Sequence, residues 1–149
     1  ETGVVKRYIT DFGTEELLNK PNVTVFPHVG GSTGEAELNC AIMAGQTIRR
    51  FMETGEIVNS VNFPRVQQAL SAPYRITLIN KNVPNIVARI STAVSDFNIN
   101  IDNIINRSKG EYAYTLLDLD ETDKSKIDEL VAKFEASDNI VRVRLIKGK

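Results

Sequence analysis

The second half of the sequence alternates between two hydrophobic periods in a fixed order, and this order constrains the fold more than any other feature. Two stretches alternate apolar and polar residues, which is typical of half-buried strands, and two more stretches between them are interpreted as strands as well. Two stretches repeat apolar residues at helical spacing. In chain order they contain Tyr74, Ile76 and Leu78; Ile86, Ile90, Val94 and Phe97; 99–107; 111–118; Ile127, Leu130, Val131 and Phe134; and Val141, Val143 and Leu145. This β-α-β-β-α-β order predicts a ferredoxin-like α+β domain with both helices on one sheet face.

The first half of the chain follows a different pattern. Two short apolar runs, at 6–10 and 23–26, are each typical of a strand. Ser32 and Glu35 have the spacing of a capping box, so a helix of about 20 residues is expected to begin there and to end at Gly55.

The stretch from Pro64 to Pro73 has no hydrophobic period and carries a proline at each end. These features are typical of a linker. We therefore divide the sequence into a first region at 1–64, a linker at 65–72 and a second domain at 73–149.

The composition excludes several classes of function. The 18 Lys and Arg residues nearly balance the 19 Asp and Glu residues, and the formal charge of −1 gives no electrostatic reason for a nucleic-acid or membrane-surface partner. No apolar run approaches the ~20 residues that cross a bilayer, and no signal-peptide pattern opens the chain, so a cytoplasmic protein is expected. The chain begins Glu1-Thr2-Gly3 rather than with Met, which predicts a piece of a longer polypeptide.

No residue pattern predicts a metal site. Cys40 is the only cysteine, so neither an intramolecular disulfide nor a zinc cluster is expected. The acidic residues Asp118, Asp120, Glu121 and Asp123 span a strand end and a helix start. We interpret them as a solvated acidic turn rather than as metal ligands.

His28, the only histidine, is the main candidate for acid–base chemistry. It follows an apolar run and precedes Gly30-Gly31 and the expected helix start, where anions bind favourably. A histidine exchanges protons near neutral pH, especially when a carboxylate holds its other ring nitrogen. Glu15 and Glu16 are the nearest candidates in sequence for that carboxylate. The alternative is a histidine that only caps backbone groups, beside glycines that only form a turn.

Three blocks of sequence occur in an order that resembles one enzyme family. The stretch 25–36, VFPHVGGSTGEA, resembles the proline-histidine-x-glycine signature of D-2-hydroxyacid dehydrogenases. The stretch 51–64, FMETGEIVNSVNFP, is similar to the closing segment of those members that act on 3-phosphoglycerate. Residues 73–149 are similar to their C-terminal ACT regulatory domain. The resemblance covers essentially the whole chain and implies that 1–64 is the tail of a Rossmann-type α/β catalytic region with one long helix.

The resemblance implies two catalytic residues in the intact enzyme. His28 matches the histidine that takes the proton from the substrate hydroxyl as a hydride leaves to NAD. Glu15, or Glu16 if the alignment moves by one position, matches the glutamate that orients this histidine and stabilises its charged form.

The resemblance also implies part of a cofactor site. The backbone of 28–31, which is His28, Val29, Gly30 and Gly31, matches the segment beside the nicotinamide of NAD. Asp11, or Thr10 on a strict alignment, matches an aspartate near the same ring. The family's G-x-G-x-x-G turn, ribose-binding acid and substrate-carboxylate arginine have no counterpart in this sequence. A dinucleotide needs that turn, so this chain alone is expected to be inactive.

The second domain is rich in asparagine, and the resemblance assigns three of these residues to L-serine binding. They are Asn80, Asn82 and Asn100, whose amides offer both donors and an acceptor to an amino acid. Asn85 and Asn98 lie at a helix entry and a helix exit, and we interpret them as turn residues. Asn85 also replaces the glycine that the family usually has after its proline. A side chain at this position narrows the space through which a ligand reaches the start of the helix.

Two functions from different classes follow. The first is an NAD-dependent dehydrogenase that converts 3-phosphoglycerate to 3-phosphohydroxypyruvate, the first step of serine biosynthesis, with a serine-sensing ACT domain. Unpaired sheet edges in so small a domain predict a homodimer through 73–149. The second is a non-catalytic amino-acid-binding regulatory protein in which 1–64 serves as a dimerisation arm.

Overall fold

The computed structural model describes residues 4–148, so the Glu1-Thr2-Gly3 start lies outside the described residues. The chain divides into two compact units, Glu1–Ala44 and Gly45–Lys149. The elements are β1 (Tyr8–Thr10), β2 (Val23–Val25), α1 (Gly34–Thr54), β3 (Tyr74–Lys81), α2 (Ile86–Ser95), β4 (Asn100–Lys109), β5 (Tyr112–Asp120), α3 (Lys124–Glu135) and β6 (Ile140–Lys147). Within residues 4–148, no helix is long and apolar enough to cross a membrane.

The first unit contains a small parallel sheet. Strands β1 and β2 pair from Tyr8 opposite Val23 to Thr10 opposite Val25. Thr10 is buried, and its hydroxyl oxygen accepts a hydrogen bond from the backbone N–H of Phe12 at 3.0 Å. This bond turns the chain sharply where β1 ends.

Helix α1 begins at Gly34, and the expected Ser32–Glu35 capping box is wrong. The hydroxyl of Thr33 accepts from the N–H of Ala36 at 3.1 Å, so Thr33 is the N-cap. The N–H of Ser32, which a capping box would bond to the side chain of Glu35, is bonded instead to the carbonyl of Val29 in the preceding turn. The predicted helix end is confirmed, since Gly55 has φ +71°.

The second unit confirms the predicted β-α-β-β-α-β order and the ferredoxin-like fold. Its four strands form one antiparallel sheet in the order β4-β5-β3-β6, with β4 and β6 at the edges. Helices α2 and α3 cover one face. The core between sheet and helices consists of Tyr74, Ile76, Leu78, Ile86, Ile90, Ala93, Val94, Ile99, Leu117, Leu119, Ile127, Leu130 and Phe134. We call the helix-covered side the inner face.

The opposite, outer face of the sheet is partly covered by the irregular segment that follows α1. Ile57 and Val66 pair across this segment by mutual backbone hydrogen bonds of 2.8 and 3.0 Å. Both residues pack on Tyr114 and Leu116 of β5. Because Val66 is only 1% exposed, part of the 65–72 stretch is held against the sheet.

A buried ion pair lies on the same outer face. Arg75 and Asp118 are 0% and 1% exposed and form two hydrogen bonds between neighbouring strands. Arg75 also donates to the carbonyls of Thr54, Gln68 and Ala69. The interpretation of Asp118 as part of a solvated turn is therefore wrong, because its position on the strand points it at the arginine.

Candidate functional site

His28 lies in an exposed loop of the first unit and contacts two neighbours. Its Nδ1 atom is 2.7 Å from Oδ2 of Asp11, with 60% of the histidine side chain and 33% of the aspartate side chain exposed. The Phe12 ring lies on the imidazole with centroids 4.5 Å apart. The parallel pairing of β1 and β2 produces this arrangement, since Asp11 and Phe12 follow one strand and His28 follows the other.

Glu15 and Glu16, the carboxylates considered for His28, lie in a separate exposed turn. The N–H groups of Leu17 and Leu18 both bond to the carbonyl of Thr14, and this turn carries the two glutamates. Among the hydrogen bonds of residues 4–148, none joins either glutamate to the imidazole. In this structure Asp11 is the carboxylate that holds His28.

The pair of Asp11 and His28 has the geometry of a carboxylate-oriented histidine. When the carboxylate accepts from Nδ1–H, the Nε2 atom of a neutral imidazole is left as a proton acceptor. The carboxylate also stabilises the imidazolium that forms when Nε2 takes a proton. The arrangement can therefore remove a proton from a hydroxyl group placed at Nε2.

The loop that follows His28 exposes the backbone of two glycines. A Cβ atom built on Gly30 or Gly31 would meet nothing within 4 Å. A nicotinamide ring beside this backbone stays an expectation from the family resemblance. The pyrophosphate of NAD needs a glycine-rich turn at a helix start, which this sequence does not supply. The residues present therefore do not form a dinucleotide site by themselves.

In the second unit, Asn80 and Asn82 occupy different environments. Asn80 is the penultimate residue of β3 rather than a loop residue, and it is 0% exposed. Its amide nitrogen donates to the carbonyl of Lys81 at 3.0 Å, and its amide oxygen accepts from the hydroxyl of Thr115 at 2.9 Å. Asn82 is exposed, and its amide nitrogen donates to the carbonyl of Gly110 at 3.1 Å.

Asn100 lies at the opposite end of the sheet from the other two asparagines. Along β5, Asn80 is paired with Ala113 and Asn100 with Asp120, which are 120 − 113 = 7 residues apart. At ~3.3 Å per residue this is roughly 23 Å. A single chain therefore does not bring all three amides together.

Asn85 and Asn98 are confirmed as turn residues. Their φ angles are +63° and +53°, in the left-handed region where asparagine is one of the few tolerated side chains. Asn85 is the N-cap of α2 and makes no side-chain capping bond, so the first turn of this helix keeps free N–H donors.

Two polar residues near Asn80 were not predicted to belong to the site. Thr115 is fully buried on the inner face, and the side chain of Asn106 donates to its hydroxyl at 2.7 Å. A signal for both was present in the strand period. Asn106 and Thr115 are in phase with Ile104 and Leu117, at positions where an inner-face strand is expected to be apolar.

Metal binding has no evident location in the described part of the chain. No group of three His, Cys, Asp or Glu side chains within residues 4–148 is arranged to hold an ion. Glu121 and Asp123 instead accept backbone N–H groups at the start of α3. The backbone N–H of Asp123 in particular holds the pKa of the half-buried Glu121 carboxyl below its ordinary value.

Known structures with a similar fold include regulatory domains. The ACT domain of GTP pyrophosphokinase from Chlorobium tepidum is 18% identical, with a TM-score of 0.45, and the match covers 49% of this chain and 95% of that domain. The regulatory subunit of aspartate kinase from Thermus thermophilus is 23% identical, with a TM-score of 0.39, over 52% of each chain. No family model matches the sequence.

Curated relatives match nearly the whole chain. D-3-phosphoglycerate dehydrogenase 2 of Saccharomyces cerevisiae is 32% identical over 139 residues, which is 89% of this chain and 29% of that protein. The D-3-phosphoglycerate dehydrogenase of Escherichia coli K12 is 26% identical over 133 residues, which is 89% of this chain and 32% of that protein. The predicted resemblance is confirmed: over 89% of its length the chain is homologous to D-3-phosphoglycerate dehydrogenases, of which it spans about 29%.

Proposed function

We propose that the chain is the C-terminal part of an NAD-dependent D-3-phosphoglycerate dehydrogenase with an amino-acid-sensing ACT domain. The observation that carries this proposal is the match over 89% of the chain to dehydrogenases of that name. The reaction of the intact protein would be oxidation of 3-phosphoglycerate to 3-phosphohydroxypyruvate. NAD supplies the hydride acceptor, and the residues of this chain supply the base and one side of the nicotinamide site.

In this proposal His28 removes the proton from the substrate's C2 hydroxyl. Nε2 accepts that proton while the C2–H bond breaks, so the carbon is oxidised to a carbonyl and the imidazole becomes a cation. Asp11, 2.7 Å from Nδ1, stabilises that cation and fixes the ring. Glu15 is the second candidate for this orienting role, through the family resemblance. Removal of the carboxylate that orients His28 should lower NADH formation, whereas removal of the other carboxylate should not.

The experiment is an assay of the full-length polypeptide that contains this sequence, with formation of NADH as the readout. The proposal predicts NADH formation with 3-phosphoglycerate and much less with D-lactate, which lacks the phosphate. Asp11→Asn and Glu15→Gln, compared in the same assay, identify the orienting carboxylate. A protein that binds L-serine and yields no NADH would support the alternative, a non-catalytic amino-acid-binding regulator.

For the regulatory half we propose a homodimer formed by antiparallel pairing of two β4 edges. Strand β4 is a ten-residue edge with no proline, and Ile101, Ile104 and Ile105 are half-buried on it. If the two β4 strands overlap fully, the residue numbers of facing residues add up to 209. Exposed Asp102 then lies opposite Arg107 of the second copy. Opposite charges at facing positions stabilise antiparallel pairs.

This pairing supports an L-serine site between the two copies. In the same register Asn100 of one copy faces Lys109 of the other, beside the Gly110 turn to which Asn82 is bonded. Asn82 keeps its amide oxygen and one N–H for a zwitterionic ligand, and the free N–H groups of α2 lie close in sequence. Asn80 is the buried residue beneath the loop of this site, and we include it in the site for that reason.

Calorimetry and sedimentation of the 149-residue chain test this part. L-serine should bind to a dimer, and Asn82→Ala should weaken binding by about 5- to 150-fold, because losing one partner of a ligand that the second copy covers costs ~1–3 kcal/mol. Asn22→Ala, an exposed asparagine of the first unit, is the matched control and should leave the affinity unchanged. A monomer at micromolar concentration, or no heat at millimolar serine, would contradict the proposal.

A further inference from the structure

Three polar side chains form a continuous hydrogen-bonded chain across the inner face of the sheet. Asn106 on β4 donates to the hydroxyl of Thr115 on β5 at 2.7 Å, and Thr115 donates to the amide oxygen of Asn80 on β3 at 2.9 Å. Asn80 then donates to the carbonyl of Lys81 at 3.0 Å. We call these three residues the polar relay.

The polar relay has a single direction. A threonine hydroxyl carries one hydrogen, so Thr115 cannot donate to both neighbours. Because Asn106 presents an NH2 group to it, Thr115 must donate onward to Asn80. The amide oxygen of Asn80 therefore faces Thr115, and its NH2 group faces the end of β3. Hydrogen bonds aligned in one direction polarise and strengthen one another.

The polar relay ends at the loop that carries Asn82. The carbonyl of Lys81 accepts from the Asn80 side chain and also from the N–H of Val83 at 3.0 Å, which closes a tight turn centred on Asn82. The N–H of Asn82 bonds to Glu111 at 2.8 Å. The orientation of the Asn80 amide thus determines one of the few bonds that set the backbone beneath the Asn82 side chain.

Because Asn80 is buried, it can position the loop of Asn82 but cannot contact a ligand bound above that loop. Its side chain is 0% exposed, its oxygen bonds to Thr115 and its nitrogen to Lys81. A ligand above the loop cannot touch it without breaking these bonds. Leaving a buried amide without its partner costs more than a surface bond contributes, so the group stays paired.

We propose that Asn106 and Thr115, acting through Asn80, are positioning residues for the amino-acid site. This inference rests on the proposed function of the second unit, and it identifies residues beyond the asparagines already assigned. Because Asn106 lies on the β4 edge, the polar relay also links the proposed dimer contact to the ligand-binding loop. A second copy that shifts β4 acts on Asn82 through three hydrogen bonds.

The test uses Thr115→Val, which keeps the shape of the side chain and removes the hydroxyl. Thr115→Ser restores the hydroxyl and is the rescue variant. Thr77→Val is the matched control, because Thr77 is a buried threonine on β3 whose hydroxyl lies against Tyr114 on the outer face, so its loss removes a polar contact outside the relay. Hydrogen exchange of the Asn82 and Val83 amides is measured in the 149-residue chain, with L-serine titrated into the same samples.

Thr115→Val should speed exchange at Asn82 and Val83 about tenfold and weaken serine binding about fivefold or more. Thr115→Ser and Thr77→Val should leave both measurements near the original values. Equal exchange in Thr115→Val and the original chain would overturn the inference, as would the same acceleration in Thr77→Val. If serine binds to neither protein while exchange still changes at these two amides, the positioning role stands and the proposed ligand is wrong.

If Thr115→Val does not fold, Asn106→Leu provides the second measurement. Asn106 is half-buried on an edge strand, so its loss perturbs the core less than a change at Thr115. The same acceleration at Asn82 and Val83 is expected, because Thr115 is then free to rotate away from Asn80. Unchanged exchange in this variant would contradict the polar relay.

Discussion

The buried pair of Arg75 and Asp118 should be the most sensitive point of the second unit. A guanidinium group has five N–H donors, and all five are used here, two on Asp118 and three on the carbonyls of Thr54, Gln68 and Ala69. The perturbation is Asp118→Asn, which keeps the size of the side chain. It removes the negative charge and turns an NH2 group toward the arginine.

The magnitude follows from the burial of both partners. Removing one member of a buried ion pair leaves an uncompensated charge and typically costs about 3–5 kcal/mol. For a domain of this size, each kcal/mol lowers Tm by roughly 4–8 °C, so a fall of more than ~10 °C is expected. Arg75→Met should cost about as much, since it leaves Asp118 charged and three carbonyls without donors.

Urea denaturation of the 149-residue chain measures the effect as a change in the free energy of unfolding. Glu53→Gln is the control, because Glu53 pairs with Arg49 in an exposed position on α1 and should change stability by less than ~1 kcal/mol. The double variant Arg75→Met with Asp118→Leu should be more stable than Arg75→Met alone, because it removes the buried charge of Asp118 while the same three carbonyls lack donors. A loss below ~1 kcal/mol for Asp118→Asn would show that the charge of Asp118 does not stabilise the second unit.

Two further predictions concern the outer face. Gly55→Ala should destabilise the chain by about 1–3 kcal/mol in the same urea assay, because φ is +71° and the new Cβ would lie 2.5 Å from a Thr77 methyl. The control is Gly110→Ala, which has φ +66° and no neighbour within 4 Å and should therefore lose less stability. Equal losses in the two variants would contradict the contact with Thr77 as the cause. Burial raises the pKa of Tyr114, so its contribution to stability is complete below pH ~10 and is lost as the pH rises through the folded-state pKa. Spectrophotometric titration should show a high-pH step that Tyr114→Phe removes, and an unchanged titration curve would contradict it.

The fold of the second unit could be predicted because local signals agree with one another. Period-two alternation, helical spacing and turn residues such as Asn85 and Asn98 all indicate the same element order. The contacts of Asp118 could not be predicted, because its partner Arg75 lies 43 residues away in sequence. Strand pairing alone brings these two residues to the same face.

The site around His28 could be predicted only in part. His28 could be predicted as a candidate because it lies after an apolar run and before a glycine turn. Its carboxylate partner could not be predicted, because Glu15 and Glu16 are nearer in sequence. The parallel pairing of β1 and β2 instead brings Asp11 to the imidazole. Thr115 was missed because a threonine in a strand is ordinary until its inner-face position is recognised.

The most direct test of the central claim is the turnover of the full-length polypeptide with 3-phosphoglycerate and NAD, compared with its His28→Asn variant. Asparagine keeps a polar side chain of similar size and cannot accept the hydroxyl proton. A loss of ~10²–10⁴ in turnover is expected, with NAD affinity nearly unchanged. Equal turnover in the two proteins would contradict the claim and would mean that His28 has only a structural role in its loop.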